Sequence, residues 1–528
     1  MSTTTTRILA AVVAIALLLG GGGIVVATLV GGDDDGSPRS AAPAEPEEEA
    51  PESVPVEGPL GAEVPPDPAL AAYYTQELDW QPCREDFECA ELEVPLDYAE
   101  PDGETIGIAL LKVPARDADR RVGSLVVNPG GPGAPGTEYA ASAALVFRDP
   151  LLDAFDVVGF DPRGTGSSAP VDCLSDAELD DYVSDDPDPD TAAERATYAG
   201  WVERLGAGCV ERSGDLAAHV STVEAARDMD VLRAALGESA LTYFGASYGT
   251  KLGSTYADLF PDRVGRLVLD GAVDPTLTNR ELNLEQAAGF ETALRAYAED
   301  CAADGCRLGD TADEVLESIR GFIDRVEQGP LPVGERELGV GNAFYGIVAP
   351  LYNAEYWRIL TQALELGIQG DASLLLQLSD LYTSRGADGY TDNSAEAIYA
   401  INCLDDPTAI EQADVPAEVA AFEEASPTFG TVFAWSLTGC GGVQVEAAEP
   451  APEIDAPGAA PILVIGTTRD PATPYDWAVS LADQLESGVL LSRDGDGHTG
   501  YNAGNACVDQ AVHGYLIAGE VPEDGLSC

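Results

Sequence analysis

A five-residue segment around one serine, Gly245-Ala-Ser247-Tyr-Gly249, constrains the fold of this 528-residue chain more than any other feature. It joins an aliphatic and aromatic run at 241–244, which predicts a β-strand, to a predicted helix at 248–260. Glycines stand two residues before and two after the serine because so tight a turn leaves no room for side chains. The segment therefore predicts a serine on a strained strand-to-helix turn at the carboxyl edge of a sheet. Since the chain has 56 glycines, the pattern alone also fits an ordinary glycine turn.

Strands and helices alternate on both sides of this segment. A Ser221-Thr-Val-Glu224 capping box opens a helix that we expect to end at Leu236. Near-continuous apolar strands separated by helices predict a mostly parallel sheet covered on both faces, which is an α/β fold. From residue 277 to 425 helical periodicity dominates, so we expect a helical cap inserted into the α/β domain. The predicted strands cover residues 105–113, 124–128, 155–160, 241–244, 266–269, 461–466 and 488–492.

The amino-terminal region predicts export. Arg7 precedes an apolar run at 8–30, and three aspartates follow at 33–35, a charge order that places the rest of the chain outside. The run is 23 residues long, enough for an uncleaved membrane anchor, while cleavage after Ala27 would make it a signal peptide. Because no cysteine lies in this region, attachment through a lipidated amino-terminal cysteine is excluded. We expect an extracytoplasmic protein, either secreted or anchored with its folded part outside.

These patterns divide the chain into five segments. The region at 31–68 is rich in Pro, Ala, Glu and Gly and has few large apolar residues, so we expect a solvated linker there. The full division is an export segment at 1–30, the linker at 31–68, the first part of the α/β core at 69–276, the cap at 277–425 and the second part of the core at 426–528.

The charge of the chain excludes one class of partner. With 92 acidic and 27 basic residues the formal net charge is −65, which is incompatible with a basic, phosphate-neutralising nucleic-acid surface. It also argues against docking on anionic lipid. We therefore expect no nucleic-acid partner.

The ten cysteines all follow the linker. An even number in an exported chain predicts disulfides, and sequence neighbours suggest the pairs, although sequence alone does not fix the connectivity. A zinc site would need closely spaced cysteines or a nearby histidine, and the three histidines do not supply one, so we expect no metal. The suggested pairs are Cys83–Cys89, Cys173–Cys209, Cys301–Cys306, Cys403–Cys440 and Cys507–Cys528.

A serine nucleophile needs a base and an acid that orients it. In folds with this strand–serine–helix turn the chain order is Ser, then Asp or Glu, then His. His498 lies in a loop after the last predicted strand, and Asp470 follows the strand at 461–466, so we predict Ser247, Asp470 and His498 as the catalytic residues. Competing acids are Asp270, Asp274 and Asp476, and the other histidines, His219 and His513, are expected in surface, capping or packing roles.

An acyl-transfer intermediate also needs two donors for its oxyanion. One prediction is the backbone N–H of Tyr248, directly after the serine. The second is the backbone N–H of Gly131, with Gly130 as the alternative, in the glycine- and proline-rich segment after the strand at 124–128. A similar turn at 161–167 is interpreted as scaffold that could border the pocket.

Several segments together resemble the secreted α/β-hydrolase peptidases typified by tripeptidyl aminopeptidase, which are related to the prolyl aminopeptidases. The resemblance covers roughly residues 80–528 and places Ser247, Asp470 and His498 on the family's catalytic triad. Where prolyl aminopeptidases carry a histidine before the paired glycines, this chain has Pro129, as is typical of the tripeptidyl branch. The matching segments are 89–98, NPGGPG at 128–133, FDPRGTGSS at 160–168, 222–237, FGASYGTKLG at 244–253, VLDGAVDP at 268–275, TTRDPATP at 467–474 and GDGHTGY at 495–501.

The resemblance implies an α/β-hydrolase fold, a helical cap, a family carboxyl-terminal region and exopeptidase activity on peptides with free amino termini. Because the predicted chemistry needs only groups of the protein, we expect no cofactor. A carboxylesterase would use the same triad, and a binding domain on an inactive hydrolase fold is the third hypothesis. A peptide's ammonium group calls for carboxylates in the cap, but in so acidic a chain each is more often a surface charge. The cap carboxylates considered are Glu355, Glu396, Asp405 and Asp406, and the aromatics Tyr345, Tyr352 and Trp357 are expected in the cap core.

Overall fold

The computed structural model describes residues 51–56, 58, 64–84 and 86–528. The predicted export segment at 1–30 and most of the predicted linker lie outside the described residues. Among the helices that are described, none combines the length and the apolar character that crossing a bilayer requires.

The first part of the core, up to the cap, supplies seven strands. Its strands are β1 (Gln81–Cys83), β2 (Phe87–Pro95), β3 (Thr105–Val113), β4 (Gly123–Asn128), β5 (Phe155–Phe160), β6 (Leu241–Ala246) and β7 (Val264–Asp270). Its helices are α1 (Ala71–Tyr74), α2 (Gly136–Ala141), α3 (Ala143–Val146), α4 (Asp149–Ala154), α5 (Asp176–Ser184), α6 (Ala192–Ser213), α7 (Thr222–Ala235) and α8 (Tyr248–Leu259).

The inserted region is helical, with two small β-ribbons. Its helices are α9 (Asn279–Ala303), α10 (Ala312–Glu327), α11 (Val340–Val348), α12 (Trp357–Ile368), α13 (Ser373–Tyr382), α14 (Ser394–Asp405), α15 (Val415–Ala425) and α16 (Gly430–Ser436). The ribbons pair β8 (Leu331–Val333) with β9 (Arg336–Leu338), and β10 (Arg385–Gly386) with β11 (Gly389–Tyr390).

The second part of the core returns to the sheet. It contains β12 (Ile462–Arg469), α17 (Tyr475–Gln484), β13 (Gly488–Asp496), α18 (Ala506–His513) and β14 (Leu526–Ser527). One ten-stranded sheet results, in the order β1-β2-β3-β5-β4-β6-β7-β12-β13-β14. The first four strands in this order pair antiparallel and all later pairs are parallel. The predicted mostly parallel α/β sheet is confirmed.

Both faces of the sheet are buried at its central strands β4 and β6, as their apolar sequences predict. Along β4, Val126 faces a core that includes Met229 of α7, whereas Val127 faces the opposite core with Tyr139 of α2. Adjacent strand residues point to opposite faces, so a strand buried on both sides must be apolar throughout. The parallel strands therefore end at one edge, where their following loops meet.

The cap has a hydrophobic core of its own. Phe290, Leu294 and Trp435 are among its buried residues. The insertion's helices continue to Ser436, past the boundary predicted at residue 425, because α16 contributes Phe433 and Trp435 to this core. Helix α6, which lies outside the predicted cap, also packs against this core through Tyr198.

The ten cysteines form five disulfides, joined as sequence neighbours in the pairs Cys83–Cys89, Cys173–Cys209, Cys301–Cys306, Cys403–Cys440 and Cys507–Cys528. None of the described cysteines is free. Disulfides persist in oxidising compartments, so this pattern indicates an extracytoplasmic protein.

Candidate active site

Ser247 occupies the tight turn between β6 and α8. Its backbone has φ 56° and ψ −126°, a strained conformation for a residue with a side chain. The flanking glycines are required by close contacts: a Cβ on Gly245 would lie 2.4 Å from the carbonyl oxygen of Gly249. A Cβ on Gly249 would lie 2.9 Å from the carbonyl oxygen of Asn128. The turn therefore presents the serine at the carboxyl edge of the sheet, with the amino terminus of α8 behind it.

His498 and Asp470 meet at the same edge. Asp470 follows β12 and is 3% exposed, and His498 lies in the loop after β13. The Nδ1 atom of His498 is 2.9 Å from each carboxylate oxygen of Asp470. The carboxylate also accepts backbone N–H groups from Ala472 at 2.9 Å, Thr473 at 2.8 Å and Thr499 at 3.2 Å. These bonds fix the acid, and the acid in turn fixes the imidazole.

The electrostatics of His498 suit a general base. Burial disfavours its charged form, but the charge of Asp470 and the hydrogen bond to it outweigh burial, so the net pKa of His498 is raised. An Nδ1–H donated to Asp470 leaves Nε2 as the atom with the free lone pair. Among the described residues Nε2 has no hydrogen-bond partner. Ser247 and His498 line one cavity, so Nε2 is the atom available to take a serine proton.

A hydrogen bond to the imidazole distinguishes Asp470 from the competing acids Asp270, Asp274 and Asp476. Asp476 is exposed in the first turn of α17. Asp274 accepts hydrogen bonds from Thr276 and from Gln484 at 2.9 Å. The side chain of Asp270 accepts backbone N–H groups of the loop that carries His498. Of the four acids considered, Asp470 is the one hydrogen-bonded to the imidazole.

The other two histidines lie outside the cavity. His219 places Nδ1 2.8 Å from Glu224, at the start of α7. His513 is buried, with Nε2 3.0 Å from the hydroxyl of Tyr501, and burial lowers its pKa to about 4. Both occupy the capping and packing roles expected of them.

The glycine-rich loop after β4 approaches the serine closely. A Cβ on Gly130 would lie 2.9 Å from both the Ser247 Cβ and the Tyr248 backbone nitrogen. The Gly130 N–H donates to Asn128 at 2.9 Å and is therefore engaged. The Gly131 N–H has no acceptor among the described residues, and Gly131 lines the cavity. This arrangement favours Gly131 over Gly130 as the second oxyanion donor beside Tyr248.

The cavity lies between the sheet edge and the cap and has a volume of about 1910 Å³. Tyr352, in a short turn after α11, packs its ring edge-on against His498 with centroids 5.3 Å apart. Its carbonyl oxygen accepts the backbone N–H of His498 at 2.7 Å. Tyr345 stacks on Tyr382 in the same wall, whereas Trp357 is buried in the cap core. The expectation that Tyr345 and Tyr352 lie in the cap core is met only in part: Tyr352 packs against that core and Tyr345 against the core of the α/β domain, and both also line the cavity.

The cap carboxylates separate into two groups. Asp405 and Asp406 line the cavity, whereas Glu355 and Glu396 do not. Asp405 accepts from Lys251 at 2.7 Å and from the Thr222 hydroxyl at 2.5 Å, which connects the cap to α7 and α8. Glu355 is exposed, and Glu396 is buried, accepting the backbone N–H groups of Cys173 and Leu174 at 2.7 Å each.

The turn at 161–167 serves both structure and pocket. Arg163 is fully buried, and its guanidinium bonds to both oxygens of Asp228. Asp161, Gly166 and Ser167 line the cavity. The turn is therefore scaffold that also borders the pocket.

One group of potential metal ligands occurs among the described residues, formed by Asp97, His219 and Glu224. Arg163 lies 3.5 Å from Glu224, so a positive charge already faces this carboxylate. None of these three residues lines the cavity that holds Ser247.

Comparison with known proteins shows where this geometry belongs. The family described as TAP-like protein matches residues 426–528. The serine protease Hip1 of Mycobacterium tuberculosis is 38% identical over 477 residues, covering 86% of this chain and 91% of that protein. The tripeptidyl aminopeptidase of Streptomyces coelicolor is 32% identical over 469 residues, covering 85% of this chain and 86% of that protein. The chain belongs to the tripeptidyl aminopeptidase family of α/β-hydrolases. It is therefore a serine hydrolase.

A further relative is named for the cleavage of esters. Carboxylesterase B of Mycobacterium tuberculosis is 36% identical over 495 residues, covering 89% of this chain and 93% of that protein. Membership therefore establishes the fold and the class of enzyme, while the choice between amide and ester substrates depends on the cavity.

Sequence patterns missed two contacts of this family site. Thr473 places its hydroxyl 3.3 Å from His498 Nδ1, and the carbonyl oxygen of Tyr352 holds the backbone of His498. The proximity of Thr473 to Asp470 in the chain was an available signal. Tyr352 gave none, because its contact depends on how the cap folds over the sheet.

Proposed function

We propose that the protein is an extracytoplasmic serine exopeptidase, a tripeptidyl or related aminopeptidase, that cleaves peptides near their free amino termini. The observation that carries this proposal is the His498–Asp470 pair, whose free Nε2 opens together with Ser247 into the cavity beneath the cap. The names of two relatives, a serine protease and a tripeptidyl aminopeptidase, support the peptidase assignment.

The proposed reaction uses only groups of the protein. His498 takes the Ser247 hydroxyl proton through Nε2 as the oxygen attacks the peptide carbonyl carbon. The imidazolium, stabilised by Asp470, then protonates the leaving amine as the C–N bond breaks. Water, deprotonated by His498, attacks the acyl-enzyme and releases the acid, which regenerates the serine.

The negative oxygen of each tetrahedral intermediate is assigned to the backbone N–H groups of Tyr248 and Gly131. Such donors act on the transition state more than on the bound substrate, and each contributes about 3–4 kcal/mol to the barrier reduction. Tyr248 begins α8, so the positive end of the helix dipole adds to its contribution.

The charge of the cavity favours a cationic peptide end. Ten carboxylate residues line it, against three lysine or arginine residues. Arg336 and Arg385 are paired with Asp380 and Asp180. Since Asp405 is already bound by Lys251, we assign the peptide ammonium to the remaining acidic lining, with Asp406 nearest in sequence to that pair.

A carboxylesterase is the second candidate. The relative named carboxylesterase B supports it, and the same triad and oxyanion donors would cleave an ester. Fold and triad alone do not separate the two activities.

The experiment compares tripeptidyl chromogenic amides with a free amino terminus and the same amides after N-acetylation, with Ser247→Ala as the control. The proposal expects cleavage of the free-amine substrate alone and none by the variant. If neither amide is cut while short acyl esters are, the esterase assignment replaces it.

We also propose that the apolar run at 8–30 exports the protein and, when uncleaved, anchors it with the enzyme outside the membrane. Expression of the full chain with a carboxyl-terminal tag tests this. An anchor predicts a detergent-extractable membrane fraction that external protease can digest, whereas a cleaved signal predicts release of a shortened chain.

A further inference from the structure

Asp270 contacts both halves of the proposed catalytic machinery. It is the last residue of β7 and is 1% exposed. Its carbonyl oxygen accepts the backbone N–H of the nucleophile, Ser247, at 2.9 Å. Its carboxylate accepts the N–H of Gly500 at 2.7 Å and of Tyr501 at 2.9 Å, in the loop that carries His498. A single residue thus bridges the serine turn and the loop of the base.

The next residue tightens the same junction. The N–H of Gly271 donates to the carbonyl oxygen of Ile465 in β12 at 3.0 Å. A Cβ on Gly271 would lie 3.1 Å from the Cε1 atom of His498. The chain that leaves Asp270 therefore runs directly beneath the imidazole.

The carboxylate of Asp270 is costly for stability alone. Burying a carboxylate without an ion-pair partner is unfavourable, and its hydrogen-bond donors here are backbone N–H groups. The charged and titratable groups that face it are His498, Asp470, Arg493 and Tyr139. A buried carboxylate among such groups, at the junction of nucleophile and base, indicates a role in the reaction rather than in folding alone.

We propose that Asp270 is a positioning residue for the reaction, one that fixes the loop of His498 to the turn of Ser247 and so sets the geometry of proton transfer between them. It touches neither substrate nor reacting atoms and is not a catalytic residue. The inference rests on the proposed function of Ser247 and His498.

Because Asp270 is charged, its role can be detected in the pH dependence of activity. Burial raises the pKa of Asp270 to about 6, so the carboxylate is ionised at neutral pH. Its negative charge is one of the influences that raise the pKa of His498. Removing that charge without changing the size of the side chain lowers the pKa of His498, which moves the acid limb of the activity profile to lower pH.

The test measures kcat, KM and the pH profile of Asp270→Asn on the free-amine tripeptidyl amide, and the rate at which a fluorophosphonate labels Ser247. The expected result is a kcat lower by about 10- to 100-fold with KM unchanged, since small misplacements of reacting groups cost this much. Phosphonate labelling slows in parallel, and the acid limb moves to lower pH.

Glu396→Gln is the matched control, because Glu396 is also buried and also accepts two backbone N–H groups, away from the cavity. It is expected to lower the melting temperature without moving the acid limb. The proposal is overturned if Asp270→Asn leaves kcat unchanged. It is also overturned if kcat falls but the acid limb of the pH profile stays where it is in the wild type, as is expected for Glu396→Gln.

A second variant decides the question if Asp270→Asn does not fold. A Cβ on Gly500 would lie 2.8 Å from the Cγ2 atom of Ile465, so Gly500→Ala displaces the loop while Asp270 stays charged. The proposal expects reduced kcat with the acid limb in place, and unchanged kcat overturns it. A wild-type enzyme that reacts with the phosphonate but cuts no peptide amide removes the proposed peptidase function and leaves this inference intact.

Discussion

The carboxyl edge of the sheet and the cap face each other across one cavity, but different interactions hold them. At the edge, Asp470 accepts three backbone N–H groups besides His498, and Asp270 accepts two. In the cap wall, aromatic rings pack on one another, as in the stacked pair Tyr345 and Tyr382 with centroids 5.3 Å apart. Hydrogen bonds are directional and fix reacting atoms closely, whereas aromatic packing tolerates several geometries.

From this difference we infer which kinetic constant each region controls. Groups held at the sheet edge act on the transition state, so their loss lowers kcat. We expect groups in the cap to contact the substrate away from the reacting bond, so that their loss acts on KM and on substrate preference.

Ser247→Ala removes the proposed nucleophile, and we expect it to cause the largest loss of activity. In triads of this kind the removal of the serine lowers kcat by about 10⁶-fold, with residual activity from the oxyanion donors and binding. The measurement is kcat on the tripeptidyl amide for the purified variant. Melting temperatures within a few degrees of the wild type show that the loss is chemical, and residual activity near that of the wild type contradicts the role of Ser247.

Asp470→Asn keeps the size of the acid but removes the charge that orients His498. We expect kcat to fall by about 10⁴-fold. The matched control is Asp476→Asn, since Asp476 is an exposed acid in the first turn of α17, six residues later in the chain. Steady-state kinetics of both variants test the assignment, which fails if the two enzymes behave alike.

Tyr352→Ala tests the cap where it touches the sheet edge. Losing the ring beside His498 is expected to raise KM and lower kcat by about 10-fold each, because both the wall and the base are disturbed. Tyr352→Phe keeps the ring and loses only the hydroxyl, which lies 3.4 Å from that of Tyr382, so its kinetics should match the wild type. An unchanged KM in Tyr352→Ala would contradict the expectation that residues of the cap control KM.

The smallest expected effect is the change of kcat/KM with pH. The proposed role as a base requires neutral His498, whose pKa lies above the ordinary value of 6.5 because the effects of Asp470 outweigh burial. The kcat/KM value is therefore expected to fall as pH decreases through a midpoint above about 6.5. Titration of kcat/KM from acid to neutral pH measures it, and a midpoint well below that value contradicts the electrostatic account of His498.

The same two regions differ in how far the sequence predicts them. The fold of the core was predicted correctly because its strands are apolar on both faces, as at Val126 and Val127, and are bounded by glycines and prolines. Ser247, Asp470 and His498 were named from their places after three strands, and parallel strands end at one edge. Local pattern and topology were therefore enough to predict that Asp470 and His498 lie together.

The same reasoning predicted the positions of the cap side chains less well. Periodicity shows that a helix is apolar on one face, but it does not show whether that face meets another helix or a cavity. Tyr345 and Tyr352 were expected in the cap core for this reason, and although both pack against buried residues, they also line the cavity. Glu396 shows the same limit. It was considered for binding the substrate, but it is buried and accepts the backbone N–H groups of Cys173 and Leu174.

The most direct test of the account is to label the intact enzyme with a fluorophosphonate and to map the modified residue by peptide mass spectrometry. The account predicts a single adduct on Ser247, formed rapidly in the wild type, far more slowly in Asp470→Asn and not at all in Ser247→Ala. Labelling of another residue, or labelling of Asp470→Asn at the wild-type rate, would contradict the assignment of Ser247, His498 and Asp470 as one catalytic unit.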